Sequence, residues 1–286
     1  MAGPISVLLP AFNEEAAIGD TVRRLVEVMA ANALDGEIVV IDDGSTDATA
    51  ELARAAGASV VRHPHNVGYG RALKRGILQA AHDTIVICDA DGSYPVAEIP
   101  ALLAKHDDGF DMVIGARTGF RDGWLKAPLR RLLRWLVEYT CGRRIEDVNS
   151  GLRVFERPTV TGFLPTLCDT FSFTTSLTLA YNMTGLFVGD VPISYQERRG
   201  RTKVRLVRDT LRTLQYIVQA IIYYNPLKLF LLFSAMCGGF AGVAFVGAAT
   251  LDSRMAVLVG AAFLMAALIV FCLGLLADLL KQILSK

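Results

Sequence analysis

The sequence predicts an α/β domain built on a buried parallel sheet, followed by two helices that cross a membrane. Three observations carry this. Through the first two hundred or so residues, short β-rich runs alternate with helical patterns. The polar residues of that part collect directly after the strands, and the C-terminal end is almost free of charge. The chain of 286 residues is 52% hydrophobic and 20% charged. That is too apolar for an ordinary soluble protein, so the excess has to be localised.

The strands read in order as "ISVLLP" (5–10), "EIVVID" (37–42), "ASVVRH" (58–63), "TIVICD" (84–89) and "DMVIGA" (111–116). Between the first two, Ile18, Val22, Leu25, Val26 and Met29 recur at helical spacing. Continuous rather than alternating apolar runs suit strands covered on both faces, the βαβ rhythm of a parallel sheet. Such sheets bind ligands beyond the carboxyl ends of their strands. Here those ends read "AFNEE", "DDGSTD", "DADGS" and the Arg117 of "GAR".

From Leu227 to Leu251 only Lys228 is charged, and from Met255 to Ala277 nothing is. At ~1.5 Å per residue each run spans the roughly 30 Å of a bilayer core. Asp252, Ser253 and Arg254 leave room only for a tight hairpin. The alternative is a buried helical hairpin of a soluble protein, but helices apolar on every side are rare outside membranes. Before the hairpin, Leu206, Leu211, Leu214, Ile217, Val218, Ile221 and Ile222 share one side of a segment whose other side carries Arg208, Arg212 and Gln215, the pattern of an interfacial helix. Basic residues crowd this approach and Lys281 and Lys286 close the chain, so both ends are expected on the cytoplasmic side. No signal peptide is read at the N-terminus. The net charge of +1 gives no reason to expect nucleic acid, and five scattered cysteines without metal spacing suit reduced thiols.

Asp89 and Asp91, at the tip of a buried strand, repel each other, and a cation is the natural compensation. Oxygen ligands with few protein groups suit Mg²⁺ or Mn²⁺ shared with a phosphate. A plain turn or cap ahead of Pro95 is the alternative. Asp43 can accept hydrogen bonds from a base or ribose, with Gly44 making the turn and Ser45 or Thr46 capping the next helix. "GYGRAL" (68–73) lacks the third glycine of a dinucleotide fingerprint, and the "HPH" of His63 and His65 suits surface exposure better than metal binding. Arg198, Arg201 and Lys203, just before the interfacial segment, are candidates for holding an anionic acceptor; attraction to anionic lipid alone is the simpler reading.

"LLPAFNEE", "VIDDGSTDAT", "NVGYGRAL", "DADGSYP", "GAR" and "VNSGLRVF", in this order, resemble glycosyltransferase family 2, and within it the polyprenyl-phosphate branch similar to dolichyl-phosphate mannose and glucose synthases. The resemblance covers about residues 4–204. It implies a GT-A (Rossmann-like) nucleotide-sugar fold, a divalent metal (Mg²⁺ or Mn²⁺), inversion at the anomeric carbon, and a lipid phosphate acceptor. Position by position, it implies that Pro10, Phe12, Glu14, Ile41 and Asp43 hold the nucleoside. Asp89, Ala90 and Asp91 would surround metal and diphosphate, and Arg117 would contact phosphate. Ser93 stands where relatives often place a metal-ligating Gln, so it is a shorter candidate ligand. Asp147 falls where the family carries an aspartate before Ser-Gly; it is a candidate to orient acceptor or sugar, with an Asx turn as the alternative. The segment 171–185 lacks the acidic residue relatives carry there, which turns attention to Thr174, Thr175 and Ser176. The insert with Trp124, Lys126, Arg130, Arg131, Arg134 and Trp135 suits a membrane-facing flap.

The expected organisation is a GT-A domain at 1–204, an interfacial helix at 205–225 and a transmembrane hairpin at 226–286 (about 227–251 and 255–278). The expected function is transfer of one hexose, glucose or mannose, from a UDP- or GDP-sugar to polyprenyl phosphate. The site is expected at the cytoplasmic face of the cell membrane, with Asp91, Asp147 and Arg117 as catalytic candidates. A non-catalytic sugar-nucleotide or lipid-binding membrane protein and transfer to a non-lipid acceptor are the alternatives, and a homo-oligomer is left open.

Overall fold

Ile5, Val7, Leu8 and Leu9 are fully buried in the first strand, β1 (Ile5–Ala11), as are Val40 and Ile41 in β2 (Gly36–Asp42). Side chains buried on both faces of a strand require helices above and below it. The computed structural model describes residues 3–118, 127–195 and 206–284. Between β1 and β2 lies α1 (Ile18–Ala31), whose Ile18, Val22 and Leu25 face the core while Val26 is 43% exposed. Then follow α2 (Thr49–Ala55), β3 (Ser59–Arg62), α3 (Tyr69–Gln79), β4 (Thr84–Ile87), α4 (Ile99–Asp107), β5 (Met112–Thr118) and α5 (Ala127–Cys141). The domain continues through β6 (Arg153–Glu156), α6 (Arg157–Thr161), α7 (Phe173–Met183) and β7 (Val188–Ser194), and the chain ends in α8 (Leu206–Tyr224), α9 (Pro226–Leu251) and α10 (Arg254–Leu284).

The seven strands form one sheet in the order β3-β2-β1-β4-β6-β5-β7. It is mixed rather than parallel throughout: β6 runs antiparallel to both β4 and β5, with Val86 opposite Val154 and Val113 opposite the same residue. The sequence hides this strand because "LRVF" is short and carries an arginine. Arg153 is nevertheless fully buried, and the Ser150–Gly151 bend turns the chain back between β4 and β5.

By its internal contacts the chain divides into two compact units, Met1–Tyr216 and Ile217–Lys286. The boundary read from the sequence, residues 204–205, lies outside the described residues. In the second unit, α9 and α10 are each long and apolar enough to cross a membrane. They are joined by Asp252 and Ser253 alone, Arg254 already belonging to α10, with Asp252 in the left-handed region at φ 46°. Glycines let the two helices approach: Gly274 meets Phe230, Gly260 meets Phe245, and Ser234 Oγ donates to the Ala267 carbonyl at 2.9 Å. Asn225 opens α9 by accepting from the Lys228 amide at 3.3 Å, ahead of Pro226.

Gly36 enters β2 at φ 147°, and a Cβ there would lie 2.0 Å from the Ile5 carbonyl oxygen. Both the conformation and the close approach require glycine. Gly36→Ala is expected to lower stability by about 2–4 kcal/mol, read as a fall in the thermal midpoint of the detergent-solubilised protein.

Candidate active site

Strand register brings three loops to one edge of the sheet. Ala11 pairs with Asp42, and the Asp43 amide donates to the Ala11 carbonyl at 2.8 Å, so β1 and β2 end level. On the other side of β1, Leu8 pairs with Ile87 and the Cys88 amide donates to the Leu8 carbonyl at 3.1 Å, which delivers Asp89 beside Pro10. The result is a cavity of about 370 Å³ lined by Pro10, Phe12, Glu14, Asp43, Asp89 and Ala90, read from the sequence as nucleotide-sugar residues, and by Asp91, read as a metal ligand. Thr174 lines it as well, and so do residues given no individual role in the sequence: Asn66, Gly68, Tyr69, Asn149 and Phe171. Ile41 does not: it is fully buried in β2, where it packs against Gly76 of α3.

Each carboxylate is held by named donors. Asp43 accepts from the amides of Val67 (2.9 Å) and Gly68 (2.8 Å), and its Oδ1 lies 2.8 Å from His63 Nδ1. His63 is therefore not the surface residue its loop context suggested; it is 5% exposed and turned inward onto Asp43. Ser45 and Thr46 do not cap α2 either. Ser45 Oγ accepts from the Asn13 amide at 2.9 Å, and the Thr46 amide donates to Asn13 Oδ1 at 2.8 Å, because the loop after β1 has amides and side chains of its own to satisfy.

Asp91 Oδ1 accepts from the Ser93 amide at 3.0 Å and from Ser93 Oγ at 2.5 Å. Ser93 is fully buried behind Asp91 and does not line the cavity. Asp89 Oδ1 accepts from the Tyr69 hydroxyl at 2.8 Å. A Cβ at Gly151 would sit 2.5–2.6 Å from both Asp89 oxygens, so the carboxylate lies flat against that glycine.

Arg117 and Asp147, read separately from the sequence, are partners. Nε donates to Asp147 Oδ2 at 2.6 Å and Nη2 to Oδ1 at 3.0 Å, and the guanidinium lies 5.2 Å from the Tyr195 ring centre. Neither lines the cavity. Burial by itself raises the Asp147 carboxyl, but the Arg117 hydrogen bonds and charge outweigh it and hold the group below its usual range. The Asx turn is present too, with the Asn149 amide donating to Asp147 Oδ1 at 3.1 Å.

Behind this loop, fully buried Arg153 donates to the carbonyls of Ser150 (2.8 Å) and Val148 (2.7 Å) and to Thr178 Oγ1 (2.7 Å). Arg198, Arg201 and Lys203 lie outside the described residues, as do Trp124 and Lys126. Of the flap positions, Arg131, Arg134 and Trp135 are exposed on α5. Among the described residues no group of three or more His, Cys, Asp or Glu side chains could hold a metal.

Comparison with known proteins agrees with this fold. A search of solved structures finds the glucosyl-3-phosphoglycerate synthase of Mycobacterium tuberculosis. Its complex with Mn²⁺, UDP-glucose and phosphoglyceric acid gives a TM-score of 0.63 at 24% identity, and its complex with Mg²⁺ and UDP a TM-score of 0.64 at 24% identity; each covers 76% of this chain and 79% of that one. Sheet order and converging strand ends are those of the GT-A glycosyltransferase fold. The sequence profile of Glycosyl transferase family 2 matches residues 6–171, and the chain belongs to that family. Relatives include the undecaprenyl-phosphate 4-deoxy-4-formamido-L-arabinose transferases of Salmonella choleraesuis (strain SC-B67) and Salmonella paratyphi B (strain ATCC BAA-1250 / SPB7). Each is 28% identical over 246 residues, covering 83% of this chain and 73% of the relative.

Asp147→Asn leaves the Arg117 guanidinium largely buried without its carboxylate. The expected loss is about 2–4 kcal/mol at neutral pH. Because the folded-state pKa of Asp147 is depressed, the wild-type advantage persists down to the unfolded value near 3.9 and shrinks as pH falls further. Unfolding of the two proteins between pH 7 and pH 2.5 checks both the size and the limb.

Proposed function

We propose that this family 2 glycosyltransferase moves one hexose from a UDP- or GDP-sugar to the phosphate of a polyprenyl phosphate, with Mg²⁺ or Mn²⁺, at the cytoplasmic face of a membrane. The observation that carries the reading is the convergence of Asp43, Asp89 and Asp91 on one cavity. The undecaprenyl-phosphate relatives and the apolar helices α9 and α10 support its lipid half. The excess of basic residues before α8 supports a cytoplasmic domain and cytoplasmic termini.

The nucleoside is assigned to the end lined by Pro10, Phe12, Glu14 and Asp43, and the diphosphate to Asp89, Ala90 and Asp91. Two carboxylates as the protein's own share fit Mg²⁺ or Mn²⁺, which take their remaining ligands from phosphate and water. A divalent ion held there would supply positive charge to offset that of the departing nucleoside diphosphate. Asp89 and Asp91 would hold it, with Ser93 fixing Asp91 rather than reaching the ion.

Transfer forms a bond from the lipid phosphate oxygen to the anomeric carbon as the bond from that carbon to the diphosphate breaks, with inversion. A phosphate monoester is already ionised near neutral pH, so the acceptor needs cations to place it more than a base to activate it. We assign that placement to Arg198, Arg201 and Lys203 and to Arg117, which Asp147 orients.

The test is transfer from a panel of UDP- and GDP-hexoses to a short-chain polyprenyl phosphate in neutral detergent with Mn²⁺. Activity lost on chelation and restored by Mn²⁺ supports the reading; transfer only to a soluble acceptor, or none at all, overturns it. Asp91→Ala should fold normally yet lose roughly 100-fold or more in turnover. Arg201→Ala should raise the acceptor KM or lower the rate roughly 10- to 100-fold while leaving nucleotide affinity unchanged. A normal rate for Arg201→Ala in neutral detergent would reduce the basic cluster to a membrane-orienting signal.

A further inference from the structure

Tyr69 opens α3 on the wall of the cavity, and the surrounding residues fix where it stands. Just before it, the Val67 and Gly68 amides are tied to Asp43. Just after it, a Cβ at Gly70 would lie 2.3 Å from the Cys168 carbonyl oxygen, and the Arg71 amide donates to the Asp169 carbonyl at 3.1 Å. The segment α3 rests against is held in turn by Lys74, whose Nζ donates to the Leu167 carbonyl at 2.6 Å and to Asp169 Oδ1 at 2.7 Å. That segment presents Phe171, which stacks on the Tyr69 ring with centres 5.7 Å apart and planes 18° from parallel. The ring is thus gripped on both sides of its Cα and on its face. Its hydroxyl donates to Asp89 Oδ1 at 2.8 Å.

We propose that Tyr69 is a positioning residue that presets the Asp89 carboxylate for a divalent cation, by donating to one oxygen while the carboxylate lies flat on Gly151. The inference rests on the metal-dependent reading above.

A hydroxyl suits this task better than a cation would. The Tyr69 hydroxyl is a neutral phenol with a proton to give, and it donates that proton to Asp89 Oδ1 at 2.8 Å. A neutral donor fixes the rotamer without cancelling the negative charge a metal needs, and a carboxylate oxygen that accepts one hydrogen bond retains lone pairs for an ion. Gly151 restricts the carboxylate from the other side and is itself anchored, its amide donating to the Tyr94 hydroxyl at 2.6 Å. A carboxylate held in one orientation before the ion arrives loses less freedom on binding, and outer partners of this kind are typically worth 10- to 100-fold in metal affinity.

The experiment is Mn²⁺ titration of the full-length protein in detergent, followed by the electron paramagnetic resonance signal of free Mn²⁺, so the readout does not depend on turnover. Tyr69→Phe keeps the stack on Phe171 and removes only the hydroxyl. Expected are Mn²⁺ binding roughly 10-fold or more weaker than wild type, an unchanged thermal midpoint, and turnover that recovers as Mn²⁺ is raised. Gly151→Ala should weaken Mn²⁺ by the second route. Wild-type affinity in Tyr69→Phe together with weakened binding in Tyr69→Leu would make Tyr69 a packing residue and overturn the proposal. Tighter binding in Tyr69→Phe would overturn it as well, since the hydroxyl would then be competing with the ion. A wild-type protein that binds no Mn²⁺ overturns the metal reading and this inference together, whereas equal binding by wild type and Tyr69→Phe removes the inference alone.

Discussion

Asp43, Asp89 and Asp91 share one cavity of about 370 Å³, and their mutual repulsion is the condition the neighbouring residues answer. Carboxylates withdrawn from water beside one another disfavour ionisation unless donors or a cation compensate. Donors are supplied to each. Asp43 takes two backbone amides and the His63 ring, Asp91 takes the amide and hydroxyl of Ser93, and Asp89 takes the Tyr69 hydroxyl. The parallel ladder from β2 through β1 to β4 sets the problem, because strands that end level deliver their next residues to the same place. The loops then close over those carboxylates: the Asp43 contacts shape residues 63–68, and the Ser93 contacts shape the turn after Asp91.

Positive charge is arranged differently. Arg117 is joined to Asp147 by two hydrogen bonds, and Arg153 is buried with backbone carbonyls and a threonine hydroxyl as its acceptors. Burial lowers the Arg153 pKa to about 10, which leaves it a cation at neutral pH. A buried cation of this kind is expensive in desolvation, so its acceptors matter. Two of them, the carbonyls of Val148 and Ser150, flank Asn149 of the cavity wall and precede Gly151, on which Asp89 rests. Arg153 therefore acts on the site through the backbone of the loop, fixing from behind the surface that Asp89 meets in front. Arg117 and Asp147 fix the start of the same loop, so one short segment is held by arginines from two strands, β5 and β6.

How much of this was legible in the sequence follows from the range of each interaction. Strands β1 to β5 were legible because burial on both faces leaves continuous apolar runs, and the carboxylates were legible because they follow those runs directly. What was not legible depends on pairs distant in the chain. Tyr69 meets Asp89 twenty residues on and Phe171 a hundred on; His63 meets Asp43; Asn149 accepts from Thr175 Oγ1 at 2.6 Å. A single sequence carries no signal for such pairings. The strand β6 was hidden for another reason: an arginine in mid-strand reads as exposed unless its buried acceptors are known. Arg117 and Asp147 were each noticed, but their two candidate roles collapse into one pair only when β5 and the loop before β6 are placed side by side. In the segment "NVGYGRAL" the glycines suggest a phosphate loop, whereas Gly70 is required by its contact with Cys168.

Helix α7 closes the argument about the acceptor. Relatives were expected to carry an acidic residue here, where this chain has Thr174, Thr175 and Ser176. Thr174 lines the cavity, Thr175 donates to Asn149, which also lines it, and Ser176 Oγ accepts from the Cys168 amide at 3.1 Å, helping to hold the segment that carries Phe171. This part of the lining is thus neutral, made of hydroxyls, an amide and an aromatic ring, in the same cavity as the three carboxylates. For an alcohol acceptor such a wall would be a defect, because a proton must be removed and no added carboxylate stands ready on α7 to take it. For the ionised phosphate of the proposed reaction the demand reverses. One more carboxylate would repel the nucleophile by the same Coulomb interaction that sets Asp43, Asp89 and Asp91 against each other, and a neutral wall removes that repulsion without asking any residue for a proton.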